Sequence, residues 1–153
     1  MSKVFYSLKS VKGLLKRENP SRVCIVTSKK LVTKLAWAIK EVGISRKNVI
    51  LLPNGEAAKE WRQVEILLKK FIELDLDRKS IVIALGGGSV GDVAGFAATI
   101  YLRGIRYIQI PTTLLAQVDS AHGGKTGINF LQYKNQIGNF HPALAVIIEQ
   151  RFL

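Results

Sequence analysis
The sequence predicts an α/β fold, a Rossmann-like parallel sheet with helices on both faces. Three observations predict it. Short apolar runs at 23–27, 49–52, 81–85, 105–110 and 145–148 read as strands buried on both sides. Segments with apolar residues at helical spacing separate the first four of these runs, giving the alternation of a parallel sheet. A glycine cluster, Gly86-Gly-Gly-Ser-Val-Gly-Asp92, turns the third run into a helix.

Each element has a local reason. The first residues, 1–17, hold no acid and are weakly amphipathic through Val4, Leu8, Val11, Leu14 and Leu15. They suit a first strand and helix, with a transit peptide as the alternative. After the strand at 23–27, the residues Leu31, Leu35, Ile39 and Val42 mark one helical face, and Gly43 is a C-terminal stop. The strand at 49–52 leads into a turn, Pro53-Asn-Gly-Glu56. Trp61, Val64, Leu68, Phe71 and Ile72 then form the next helical stripe, with Arg62, Lys69, Lys70 and Glu73 outward. The segment from Val90 to Leu102 is rich in alanine and glycine, which predicts a closely packed helix. From Pro111 to Gly138 the chain is rich in Thr, Ser, Gly, Asn and Lys and reads as a long functional loop.

The chain of 153 residues suits one domain, and 48% hydrophobic content supports a sizeable core. The lone Cys24 lies in an apolar run, so it reads as a buried, inert thiol. The apolar stretch 81–102 breaks into strand, glycine turn and helix, which argues against a membrane span. The net charge is +12, and residues 1–79 carry most of it, with 18 Lys/Arg against 8 Asp/Glu. These cations are spread over exposed faces and are not interleaved with aromatics. They fit solubility and attraction for anionic substrates better than a nucleic-acid interface. No nucleic-acid or membrane partner is expected.

The glycine turn carries the chemistry. A strand that turns on glycines into a helix brings backbone N–H groups and a positive dipole end close to an anion. Gly86, Gly88 and Gly91 satisfy G-x-G-x-x-G, yet the region about 20 residues on has no acid for a ribose. A plain tight turn is the alternative. Ser89 and Asp92 also fit an S-x-x-D helix cap. Downstream, Lys125 and Lys134 stand near Gly123-Gly124, Thr126 and Asn135. Lysines beside glycines and hydroxyls suit phosphate or carboxylate recognition, and solvated loop lysines are the alternative.

Five separated blocks then give a resemblance. They are Gly86–Phe96 (GGGSVGDVAGF), Tyr101–Gly104 (YLRG), Ile110–Ser120 (IPTTLLAQVDS), Gly123–Asn129 (GGKTGIN), and Lys134-Asn135 with Ile137-Gly138. Together they resemble the 3-dehydroquinate synthases of the dehydroquinate synthase-like superfamily, and the match is dense from Ile81 to about Glu149. The resemblance implies residues 1–153 as an NAD-binding N-terminal domain, without the family's C-terminal helical domain that binds the metal. It implies a shikimate-pathway lyase that converts 3-deoxy-D-arabino-heptulosonate 7-phosphate to 3-dehydroquinate and phosphate. NAD is used transiently, and a divalent metal, zinc or cobalt, acts in the full-length enzyme. It also implies a cytoplasmic homodimer.

By motif match, Glu56 and Lys59 take the adenosine side of NAD. Gly87, Gly88, Ser89 and Asp92 hold its pyrophosphate and ribose. Thr112, Thr113, Leu115, Asp119 and Ser120 line the nicotinamide side. Asp119, Lys125 and Asn135 bind the sugar phosphate, with Lys134 between the two ligands, and Arg103 reaches a partner subunit's phosphate pocket. Ser28, followed by Lys29-Lys30, stands where the family usually has an acid after its first strand. His122 reads as structural. His122 and His141 lack metal-ligand spacing, so no metal site and no complete reaction are expected of this chain alone. A related sugar-phosphate cyclase, or a noncatalytic nucleotide-binding module, remains the alternative.

Overall fold
The computed structural model describes residues 2–153. Six parallel strands form the central sheet: β1 (Lys3–Phe5), β2 (Val23–Ser28), β3 (Val49–Leu52), β4 (Ile81–Gly86), β5 (Arg106–Pro111) and β8 (Ala145–Ile147). Their order is β1-β8-β5-β4-β2-β3, and every pairing is parallel. Between them lie α1 (Ser10–Glu18), α2 (Lys29–Lys34), α3 (Ala36–Val42), α4 (Trp61–Glu73) and α5 (Gly88–Ile100). An antiparallel hairpin, β6 (Lys125–Phe130) with β7 (Tyr133–Phe140), stands apart from the sheet.

Strand alternation sorts the core into two layers. Cys24, Val26, Val82, Ala84 and Tyr107 face α4 and α5. Ile25, Ile81, Ile83, Leu85, Ile108 and Ile110 face α1 and α3. All six residues of β4 are buried, as its unbroken apolar run requires. Burial pushes the Cys24 thiol pKa up to about 12, so it stays protonated and inert.

Four expectations are corrected. The helix expected through Leu31–Val42 is two helices, broken at Leu35 (φ −108°, ψ 24°). The break lets Leu35, Ala38, Ile39 and Val42 all turn inward, whereas α2 buries no residue. On α4 the inward stripe is Val64, Leu67 and Phe71, while Trp61 and Ile72 lie exposed. The 111–138 segment is not one loop. It holds a five-residue π-turn, Ala116–Ser120, and then β6 and part of β7. Nearly all of β7 is exposed, so it lacks the apolar alternation that reveals a strand. Finally, Ser89 and Asp92 do not cap α5. Gly87 occupies the N-cap without a side-chain bond, because both side chains turn to other partners.

Close packing of α5 holds as expected. A Cβ at Gly91 would lie 3.2 Å from Gln109 Oε1, and one at Gly95 would lie 2.6 Å from Thr126 Cγ2. No described helix is long and apolar enough to cross a membrane.

Candidate functional site
The sheet order places the site. From β2 the chain crosses to β3 on one side, and from β4 it crosses to β5 on the other. Ligands of doubly wound sheets bind at such a reversal, beyond the carboxyl ends of the strands. Ser28 and Gly86 end the two strands there. Ser28 Oγ is engaged as the α2 cap, accepting from the Leu31 N–H at 3.4 Å. Next to it, Thr27 Oγ1 is buried with no hydrogen-bond partner among the described residues.

α5 opens at this reversal. Its N-cap is a glycine without a side chain, so the first N–H groups stay available to an outside acceptor. The turn is tightly enclosed. A Cβ at Gly87 would meet the Thr113 methyl at 3.3 Å, and a Cβ at Gly88 would meet Ser120 Oγ at 3.1 Å. Neither residue has a positive φ, so closeness and not conformation asks for glycine here. The Thr112 N–H bonds the Gly86 carbonyl at 2.9 Å, holding the end of β5 against the turn.

A cleft of about 330 Å³ continues from there. Asp92, Asp119, Ser120, Lys125 and Asn135 line it, together with His122, Thr126 and Gly127. Five expected residues are thus brought together from α5, the π-turn and the hairpin. Lys125 and Asp119 are exposed and take part in no ion pair among the described residues, so their charges face the opening. Asp92 is half-buried. Burial raises its pKa, and the Lys59 ammonium 2.8 Å away opposes that rise. Lys59 is itself buried. Glu56 sits lower than an ordinary glutamate, first because Asn129 donates to it at 2.9 Å.

Other expected residues lie elsewhere. Leu115 and Thr113 are exposed on the segment after β5, outside the cleft lining. Lys134 is exposed near the hairpin tip and does not line the cleft. Arg103 follows the far end of α5, on a short turn where Leu102 (φ 50°) and Arg103 (φ 64°) are left-handed. Thirteen helical residues separate it from the glycine turn, roughly 20 Å. His122 borders the cleft, with Nε2 2.8 Å from the Gln117 carbonyl. His141 stacks on Tyr107, and its Nε2 is 2.9 Å from the Ile105 carbonyl. Asn129 is a residue that sequence reasoning left without a role. Its only signal was membership of the Gly123–Asn129 block.

Comparison with known proteins gives the family and the fold. The family model for the N-terminal part of 3-dehydroquinate synthase matches residues 49–153. The 3-dehydroquinate synthase of Dictyoglomus thermophilum is 51% identical over 114 residues, 74% of this chain and 32% of that protein. That of Nitratiruptor sp. is 46% identical over 134 residues, 87% of this chain and 38% of that protein. A crystal structure of 2-deoxy-scyllo-inosose synthase complexed with carbaglucose-6-phosphate, NAD+ and Co2+ is 29% identical, with a TM-score of 0.87. That match covers 99% of this chain and 43% of the other. The sheet order and glycine turn define a doubly wound α/β protein with its site at the strand reversal. The chain belongs to the 3-dehydroquinate synthase family. It spans about a third of the length of the curated relatives it matches.

Proposed function
We propose that residues 1–153 form the NAD-binding N-terminal domain of a 3-dehydroquinate synthase. The observation that carries this reading is the uncapped, enclosed glycine turn at the strand reversal, opening onto a cleft that presents Lys125. The NAD+ in the 2-deoxy-scyllo-inosose synthase structure supports the same ligand here.

The residues present fit the cofactor. The amides of Gly87, Gly88 and Ser89 take the pyrophosphate, with Asp92 beside them. Glu56 and Lys59 stand on the adenosine side. Thr112, Thr113, Leu115, Asp119 and Ser120 border the nicotinamide. NAD, when bound, supplies a reversible hydride acceptor. This chain's own residues bind and orient: Lys125 and Asn135 hold the anionic sugar phosphate, Asp119 fixes its hydroxyls, and Lys134 lies between the two ligands. A divalent metal does not fit this chain alone. Among the described residues there is no group of three or more His, Cys, Asp or Glu that could hold one. We therefore assign the metal, zinc or cobalt, to a second domain outside these residues, and the isolated chain does not turn over. By the same resemblance we propose that the full enzyme is a cytoplasmic homodimer acting on a sugar phosphate, with Arg103 turned toward a partner subunit.

The test is calorimetric titration of this chain with NAD. Binding is expected to be weak but measurable, and to raise the melting temperature by mass action. Gly88→Val pushes a branched side chain onto Ser120 and into the path of the phosphates, so NAD affinity falls about tenfold. Unchanged affinity in a folded Gly88→Val chain shows that the turn is only a turn. Lys125→Ala probes the other ligand. It removes a charge-assisted contact to the sugar phosphate and leaves NAD affinity within about twofold. Equal loss of both affinities contradicts the division between turn and hairpin.

A further inference from the structure
The short turn before α4, Gly55–Lys59, carries one acid and one base three residues apart. Each side chain makes two contacts, and both pairs run in the same two directions. Toward α5, Ser89 Oγ donates to Glu56 at 3.4 Å and Lys59 Nζ donates to Asp92 Oδ2 at 2.8 Å. Toward the hairpin, Asn129 Nδ2 donates to Glu56 at 2.9 Å and Lys59 Nζ donates to Asn135 Oδ1. Ser89 and Asp92 are themselves three residues apart on the first turn of α5. Asn129 and Asn135 flank the hairpin tip, and the Asn135 N–H closes the ring by donating to Asn129 Oδ1 at 3.0 Å. Asn135 sits at φ 53°, a left-handed conformation that asparagine tolerates.

The hairpin needs such a device. A two-stranded hairpin is marginal on its own, and β7 buries none of its eight residues. On β6 only Thr126, Gly127 and Ile128 are buried. Elsewhere the polar tie to α5 is the Asn139 Nδ2 to Thr99 Oγ1 bond, exposed and 3.3 Å long.

We propose that Glu56 and Lys59 are positioning residues: a four-point clamp that holds the β6–β7 hairpin over the first turn of α5 and fixes the cleft between Asp92 and Lys125. Lys59 is the stronger arm, because a buried ammonium exchanges poorly with water and its two acceptors lie on different elements. The clamp also links two binding events. The α5 turn that faces the dinucleotide is bolted to the hairpin that carries Lys125 and Asn135, so NAD at the turn orders the hairpin. This link rests on the dinucleotide reading, whereas the clamp itself does not.

Hydrogen exchange on this chain tests the clamp without any ligand. Lys59→Met speeds exchange of the 125–140 amides about tenfold while those of β4 stay slow. Asn135→Ala does the same, and the double variant is no faster than the faster single one, because both break the Lys59–Asn135 contact. Glu56→Gln keeps an acceptor for Asn129 and loosens the hairpin less than Glu56→Ala. Unchanged hairpin exchange in Lys59→Met, multiplied effects in the double variant, or a parallel rise in β4 each overturn the clamp. NAD added to the parent chain slows hairpin exchange, and fails to do so in Lys59→Met even at NAD concentrations that calorimetry shows to saturate that variant. If calorimetry shows NAD bound and the hairpin unaffected, the link is wrong and the dinucleotide reading stands. If no NAD binds, that reading and the link fall together, while the ligand-free variants still decide the clamp.

Discussion

Gly95→Val destabilises the chain by about 2–3 kcal/mol, the upper part of the range for overpacked cores. Gly95 lies in the middle of α5, where glycine is a poor helix former. Replacing it with alanine should gain about 1 kcal/mol from propensity alone. The contacts decide otherwise. A Cβ there would sit 2.6 Å from Thr126 Cγ2 and 3.1 Å from the Tyr107 ring. Neither neighbour can swing away. Thr126 Oγ1 donates to the Asn139 carbonyl at 2.8 Å, and Tyr107 Oη donates to the His141 carbonyl at 2.9 Å. Tyr107 is fully buried. Gly95→Ala is therefore expected to be destabilising despite its better propensity, by about 1 kcal/mol, and Gly95→Val more so. Urea denaturation gives the difference directly, and the melting temperature of Gly95→Val drops about 5–10 °C. A stabilised Gly95→Ala chain would mean that the hairpin yields to α5 at little cost. The site would then be built on a movable wall.

What the sequence made legible follows from how each residue is used. The sheet was readable because β4 is buried on both faces and shows an unbroken apolar run. Close packing of α5 was readable because only Gly and Ala permit it, and Gly91 and Gly95 meet Gln109, Tyr107 and Thr126 as that composition implies. The glycine turn was readable for the same reason. The hairpin was not. β7 gains its place from pairing with β6 and from polar ties, and neither leaves a period in the sequence. The break at Leu35 was hidden too, since Leu31, Leu35, Ile39 and Val42 keep helical spacing through it. Within the site, the motif blocks named Asp92, Asp119, Ser120, Lys125 and Asn135, which share one cleft. They gave no hint that Glu56 and Lys59 join the hairpin to α5, because that geometry joins residues 33 to 76 positions apart.

The second large effect is expected at Glu149, beyond β8. Its residue is 7% exposed, and its carboxylate accepts from the Leu8 N–H at 3.0 Å and from Arg151 Nε and Nη2 at 2.9 and 2.8 Å. Arg151 reaches on to Glu41 at 2.9 Å and lies over the Trp37 ring at 4.5 Å. One carboxylate thus ties the start of α1, the end of the sheet and α3 together. The Arg151 hydrogen bond, more than any other contact, holds its pKa down at about 2 against an ordinary value of 4.5. A carboxylate depressed on folding stabilises the fold above its unfolded pKa. That contribution is lost as the pH falls from 4.5 toward 2. After discounting for the half-exposed Arg151, it amounts to about 1–2 kcal/mol. Glu149→Ala leaves the buried Leu8 N–H unpaired as well, and should cost about 2–3 kcal/mol at pH 7. Glu149→Gln keeps one acceptor oxygen for Leu8, and loses the charge together with the second acceptor that faces Arg151. Asp77, held below the ordinary carboxylate range first by its Ser21 hydrogen bond, owes nothing to Glu149, so its contribution cancels in a comparison. Glu41 shares Arg151 with Glu149, so part of the difference reports the change at Glu41. The stability difference between parent and Glu149→Gln, measured by urea denaturation from pH 7 downward, should be about 1–2 kcal/mol at neutrality. It should then shrink steadily below pH 4.5 as the parent's own carboxylate takes up its proton. A difference that stays constant across that range would show that the Glu149 charge does not stabilise the fold.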